Sequence, residues 1–202
     1  MRHALVSLAT VAALLALGSC ARRDAETTES ASAPAVAGPS IYGLDLALTD
    51  QDGRSWVLSD LRGRVWVAAM MYSSCKSTCP RVTEDMKAIE SRLVAAGRDS
   101  VGFALFSFDP GRDTPAALRA FARSHGLDAS RWHLFAASED GVRDLAAVLG
   151  MKYKVEESGE IAHSAMIFVI DRDGVVTHRQ VGIGQDSDEL VAAVDVARQL
   201  NP

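Results

Sequence analysis

Apolar residues in this chain come in short blocks that switch between two periods. The run Val65-Trp-Val-Ala-Ala-Met-Met71 is uninterrupted, as in a strand buried on both faces. Behind it Val82, Met86, Ile89 and Leu93 recur at spacings of four, three and four, which stripes one face of a helix ending near Gly97. The alternation then repeats. Residues 101–108 form a second apolar run, and Leu118 and Phe121 mark a helix stopped by Gly126. Residues 132–135 form a short strand, and Val142, Leu145 and Leu149 mark a helix capped by Ser138 and ended by Gly150. Residues 153–164 read as an extended and loop stretch. An apolar strand at 165–170, a turn Asp171-Arg-Asp-Gly174 and a return strand at 175–181 predict a C-terminal hairpin. Leu190, Val191, Val194 and Ala197 then predict a last helix, capped by Asp186 or Ser187. Ahead of all this, 44–48 alternates and 55–58 returns after a turn at 49–53, which predicts an N-terminal hairpin. Strands alternating with helices predict an α/β domain with a mainly parallel sheet covered on both faces.

The first forty residues follow a different logic. Met1-Arg2-His3 is a short basic start, and the apolar run at 4–17 falls short of the ~20 residues of a membrane-spanning helix. It ends in Leu17-Gly18-Ser19-Cys20, which resembles a bacterial lipoprotein signal, cut before the cysteine and acylated on it. Buried acyl methylenes contribute about 0.8 kcal/mol each, so several chains hold firmly. Residues 21–40 contain no aromatic and no large aliphatic residue except Val36, too little apolar surface to offset the entropy of ordering. The expected organisation is therefore a signal peptide at 1–19, a lipid-anchored flexible linker at 20–40 and a folded domain at 41–202. Such a protein works in the bacterial cell envelope as a membrane lipoprotein, facing the periplasm or the outer side. A net charge of −5 without a Lys/Arg cluster excludes a nucleic-acid surface. Three cysteines are too few for a disulfide scaffold, so the apolar core must hold the fold.

Candidate chemistry gathers at Tyr72-Ser73-Ser74-Cys75-Lys76-Ser77-Thr78-Cys79-Pro80, between the first long strand and its helix. Pro80 suits a first helical turn, where its missing N–H is no loss. Cys75 and Cys79 are four apart, so a near-helical turn brings both sulfurs to one side, where the helix N-terminus favours thiolates. Such a pair can close a disulfide or hold a soft metal. The element order resembles a thioredoxin-like fold with an N-terminal β-hairpin and a C-terminal antiparallel hairpin plus helix. In that fold the loop before the late strand lies against the cysteine turn and usually carries a cis-proline. Here no proline occurs between Pro115 and Pro202, and His163-Ser164 stands in its place. Two thiolates and an imidazole suit Cu(I); zinc is the competitor, but structural zinc wants a fourth ligand. His3 falls in the signal, and His125, His133 and His178 read as surface or core-edge residues. Met70 and Met71 lie within the strand and read as core.

Three blocks together, Cys75-Lys-Ser-Thr-Cys79-Pro80, Phe108-Asp109-Pro110-Gly-Arg112-Asp113-Thr114-Pro115 and His163-Ser164 before a strand ending Ile170-Asp171-Arg-Asp-Gly174, resemble the Sco/SenC family. These are membrane-anchored copper proteins that help assemble cytochrome c oxidase. The resemblance implies a copper metallochaperone with Cys75, Cys79 and His163 as ligands to Cu(I); whether Cu(II) also binds stays open. It implies as partners the copper-bearing subunit of a respiratory oxidase and a periplasmic thiol reductase or copper donor. A lipid on Cys20 would replace the family's usual transmembrane anchor. The alternative is a thiol–disulfide reductase in which Cys75 and Cys79 cycle through a redox disulfide on an apo-oxidase site. Lys76 departs from the proline common at that position, and its charge is expected to lower the thiol pKa values. Asp109 and Asp113 sit at the same sheet edge; they are candidates for a supporting role around the site or for partner docking, although a turn and a helix cap, which either Asp113 or Thr114 can supply, explain Asp113. A peroxidase of the peroxiredoxin type fits poorly, because Met70-Met-Tyr-Ser-Ser74 precedes Cys75 where Pro-x-x-x-Thr-x-x is needed.

Overall fold

The computed structural model describes residues 38–200. The expected signal at 1–19, Cys20 and all but the last three residues of the linker lie outside them. Nine strands and four helices follow one another among the described residues. The strands are β1 (Ala47–Asp50), β2 (Ser55–Val57), β3 (Trp66–Met71), β4 (Gly102–Ser107), β5 (Trp132–Ala136), β6 (Tyr153–Val155), β7 (Ile161–His163), β8 (Met166–Ile170) and β9 (Val176–Val181). The helices are α1 (Thr78–Ala95), α2 (Pro115–Ser124), α3 (Glu139–Leu149) and α4 (Asp188–Gln199).

Seven strands form one sheet in the order β2-β1-β5-β4-β3-β8-β9. Only β3–β4 and β4–β5 pair in parallel. The expected mainly parallel sheet is thus a mixed one. Parallel neighbours need a crossover, and the chain makes two, through α1 and α2. After α3 it enters the β6–β7 hairpin instead and returns as β8, antiparallel to β3. The N-terminal hairpin adds to β5, also antiparallel. Its first strand begins at Ala47 and runs through Asp50, later than the alternation suggests. Asp50 closes that turn: its carboxylate accepts the amides of Asp52 and Arg54, each at 2.8 Å, and the Trp56 indole N–H at 2.9 Å.

All six residues of β3 and all six of β4 are buried, so both faces of the central sheet are covered. Trp132 stacks on Phe103 and Phe135 on Phe106, ring centroids 4.7 and 5.5 Å apart. Each such ring contributes roughly 1.5–3 kcal/mol through burial. Helix α1 packs against β3, β8 and α4 through the striped residues Val82, Met86, Ile89 and Leu93. Met70 and Met71 are core residues of β3. This rigid layer fixes the C-terminal ends of β3 and β4, the sheet edge where open α/β sheets place their sites.

The stretch at 153–164 holds an unexpected element. Strands β6 and β7 pair in a two-stranded sheet of their own, with Tyr153 opposite His163. Three residues per strand give no readable period, and the acidic turn between them looks like loop. Among the described residues no helix is long and apolar enough to cross a membrane.

Candidate metal centre

The chain leaves β3 at Met71 and turns through Ser73 and Ser74 into α1, which starts at Thr78. The Cys75 amide donates to the Tyr72 carbonyl at 3.1 Å, which tightens this turn. Ser77, the N-cap of α1, makes no side-chain cap bond. The Cys75 sulfur takes that part and accepts the Cys79 N–H at 3.4 Å. Free N–H groups at a helix start favour negative charge. Burial opposes ionisation of Cys75, but the Cys79 and Ser77 amides, the Cys79 thiol and the Tyr72 hydroxyl outweigh it, so its pKa lies below the ordinary thiol range. Lys76 is exposed and is not among these groups. The acidity expected from its charge comes instead from the helix start and Tyr72. Cys79, only 1% exposed, behaves in the opposite way. Burial pushes its pKa far up, and the negative charges of Cys75 and Asp113 add to the effect. The two thiols are free and unequal.

His163 ends β7 and faces this pair. Its Nε2 lies 3.6 Å from Cys79 Sγ. Its Nδ1 is 2.9 Å from the Ser164 carbonyl. A carbonyl only accepts, so Nδ1 carries the proton and Nε2 presents its lone pair. Burial holds the His163 pKa below the usual imidazole value, partly offset by the Ser164 bond. The ring is neutral at pH 7. Phe108 packs on it at 4.9 Å and Tyr72 edge-on at 6.1 Å.

The donor atoms of Cys75, Cys79 and His163 all lie within 4.8 Å of one another, the one such group of three among the described residues. Metal–ligand bonds of about 2.0–2.3 Å splayed in a trigonal plane set sulfur and nitrogen about 3.8 Å apart. The Cys79–His163 separation of 3.6 Å fits that spacing. Two sulfurs, one neutral imidazole and no fourth donor in the group suit a soft three-coordinate ion better than structural zinc.

Asp113 does not cap α2. Thr114 does so, accepting the Ala117 N–H at 3.3 Å, with Pro115 behind it. The Asp113 carboxylate, 1% exposed, turns inward. It accepts the Ser73 N–H on both oxygens at 3.1 Å, the Ser107 hydroxyl at 2.5 Å and the Ser73 hydroxyl. Burial raises its pKa, against the pull of those donors. It ties the start of the cysteine turn to the end of β4. Asp109 pairs with Arg112, and its amide donates to Ser107 at 2.8 Å. His125 packs on Phe121, His133 lies among Trp56, Trp66 and Phe135, and His178 sits in β9; none joins the group of three. Tyr72 and Arg112 are the contributors that sequence reading passed over. Both are named there, Tyr72 at the head of the cysteine stretch and Arg112 in the second motif block, but neither is given a role.

Comparison with known proteins agrees with this architecture. The SCO1/SenC family profile matches residues 35–198. A SCO1/SenC family lipoprotein from Bacillus anthracis superposes with a TM-score of 0.70 at 28% identity, over 79% of this chain and 95% of its own. BsSco, a member of the Sco family of cytochrome c oxidase assembly proteins with a disulfide switch, superposes with a TM-score of 0.69 at 26% identity, over 77% and 92%. Copper-bound ScoI of Bradyrhizobium japonicum shares the fold, with a TM-score of 0.61 at 22% identity over 76% and 96%. With its thioredoxin-like α/β domain and its three motif blocks in order, the chain belongs to the SCO1/SenC family.

Proposed function

We propose that this protein is a copper metallochaperone that binds Cu(I) through Cys75, Cys79 and His163 and delivers it to the copper centre of a respiratory oxidase. The observation that carries the reading is the convergence of two thiols and one imidazole lone pair within 4.8 Å. Membership of a family that includes oxidase assembly proteins and a copper-bound relative supports it. Copper is the cargo. Cys75 is the thiol that ionises more readily, Cys79 gives up its proton on binding, and His163 enters neutral. Transfer is ligand exchange: an incoming thiolate takes the place of one donor at a time, and copper keeps its oxidation state. Leu17-Gly18-Ser19-Cys20 and the lipoprotein relative support a lipid anchor on Cys20 that holds the domain at the envelope membrane.

A second reading, thiol–disulfide reduction of the client site, is favoured by the unequal thiols. The Cys75 thiolate attacks a client disulfide and forms a mixed disulfide, and the departing client thiolate takes a proton. Cys79 loses its proton and attacks Cys75 sulfur, which releases the reduced client and leaves a Cys75–Cys79 disulfide. His163→Ala separates the two. Cu(I) affinity, read by competition with a chromogenic chelator, should fall by about 10–100-fold or more, since even outer-shell substitutions cost that much. Disulfide exchange should persist. Unchanged affinity in this variant would refute the three-ligand reading.

A further inference from the structure

We propose that Arg112 is a positioning residue that latches the β6–β7 hairpin and so holds His163 in ligand position. The proposal rests on the ligand assignment above.

The hairpin is an appendage. It forms no part of the seven-stranded sheet. A cleft of about 280 Å³ separates it from the loop after β4, with Phe108, Arg112, Tyr153 and Ile161 among its walls. Much of its surface is exposed, including Lys154, Val155, Glu157, Ser158, Glu160 and Ala162. Left to itself, a two-stranded hairpin is marginal in water. Its tip is a turn in which the Gly159 amide donates to the Glu156 carbonyl at 2.9 Å and the Glu156 amide to the Glu160 carbonyl at 2.8 Å. Gly159 has φ +80°, open to glycine at no steric cost, and this sets the direction of its carbonyl.

That carbonyl meets Arg112. Nη2 donates to it at 2.7 Å across 47 positions of sequence. The same guanidinium is held from behind by Asp109 through Nε. Asp109 is in turn tied to Ser107, Ser107 to Asp113, and Asp113 to Ser73 in the cysteine turn. A continuous chain of polar contacts therefore runs from the thiol loop to the hairpin tip. Just past the tip, on the strand that ends in His163, the Tyr72 hydroxyl accepts the Ile161 N–H at 3.3 Å and also bonds Cys75. The hairpin is thus held at two neighbouring points, Gly159 by Arg112 and Ile161 by Tyr72, and Arg112 is the clasp that reaches over the cleft. Opening it leaves the strand that carries His163 on the single Tyr72 bond, so that His163 moves more readily while both sulfurs stay in place, which is the order of events a stepwise handover needs.

The test uses the full-length protein and its Arg112→Ala and Arg112→Lys variants. In the metal-free state, exchange of the Glu156, Gly159 and Ile161 amides should speed up about three- to tenfold in Arg112→Ala, the loss expected for one charge-assisted bond discounted for exposure. Amides of β4 should be unchanged, and Arg112→Lys should restore part of the protection. In the Cu(I)-loaded state, release to a chelator should speed up by a similar factor, with a weaker nitrogen shell in X-ray absorption. Unchanged hairpin exchange overturns the latch, whatever the fate of copper. Faster exchange with unchanged Cu(I) release overturns the positioning of His163. If the wild type takes up no Cu(I), the ligand assignment fails, and the exchange data alone still decide the latch.

Discussion

Cys75 and Cys79 stand between β3, every residue of which is buried, and α1, whose apolar stripe is sealed against the sheet. His163 stands on a two-stranded hairpin outside the sheet, bridged over a cleft. The supports differ as the roles do. The core holds the sulfurs at the cost of long-range packing that cannot shift without unfolding. The hairpin holds the imidazole by a few polar bonds and two aromatic contacts, which can be remade. Under the proposed delivery role this division serves cargo: two donors stay and one yields.

The contrast can be broken most severely at the sulfurs. Cys79→Ser should lower Cu(I) affinity by more than the roughly 100-fold upper range of outer-shell changes. It should also abolish the intramolecular disulfide. Chelator competition and thiol counting read both. If Cys79→Ser costs less than His163→Ala, the core-held sulfurs are not the dominant donors.

Asp113→Ala attacks the link between the two supports. It strands three donors, the half-buried Ser73 amide and hydroxyl and the buried Ser107 hydroxyl, so stability should fall by about 2–3 kcal/mol, read from the denaturant midpoint. Copper affinity should fall too, since Ser73 sets the entry to the cysteine turn. A surface-like effect, under about 0.5 kcal/mol, would show that the carboxylate carries no strain of the fold.

Protons sharpen the comparison. Cys75 is ionised first and Cys79 last, while His163 stays neutral until acid pH. Between the two thiol ionisations, binding displaces one proton, that of Cys79. Apparent Cu(I) affinity should therefore rise about tenfold per pH unit above the Cys75 ionisation, and more steeply below it. Alkylation should select Cys75 and should fade as pH drops through its lowered pKa. A slope near zero would mean Cys79 is already ionised; a slope near two that persists up to the ordinary thiol pKa would mean Cys75 is not acidified. The smallest effect belongs to Lys76→Ala, which should change affinity and Cys75 alkylation less than about threefold, since exposed charges couple weakly.

The core half of this comparison is legible in sequence. The apolar run at 65–71 and the stripe Val82, Met86, Ile89 and Leu93 carry their periods openly, and the cysteine spacing lies between them. The hairpin half is not. Tyr153-Lys-Val155 and Ile161-Ala-His163 are too short to show alternation, and they become strands only by pairing with each other. Asp113 reads as a cap because a neighbouring Thr-Pro also marks a helix start; only the fold turns its carboxylate inward. The sheet's mixed sense is hidden for a related reason. Strand direction is set by what the connecting segment does, and the decisive segment is the one without a period.

The most direct measurement of the three-donor claim is anaerobic titration of the reduced protein with Cu(I), followed by X-ray absorption on wild type and His163→Ala. One equivalent with two sulfurs and one nitrogen in the wild type, and loss of the nitrogen shell in the variant, is the expected result. A wild-type shell of sulfur alone, or one that His163→Ala leaves unchanged, would contradict it.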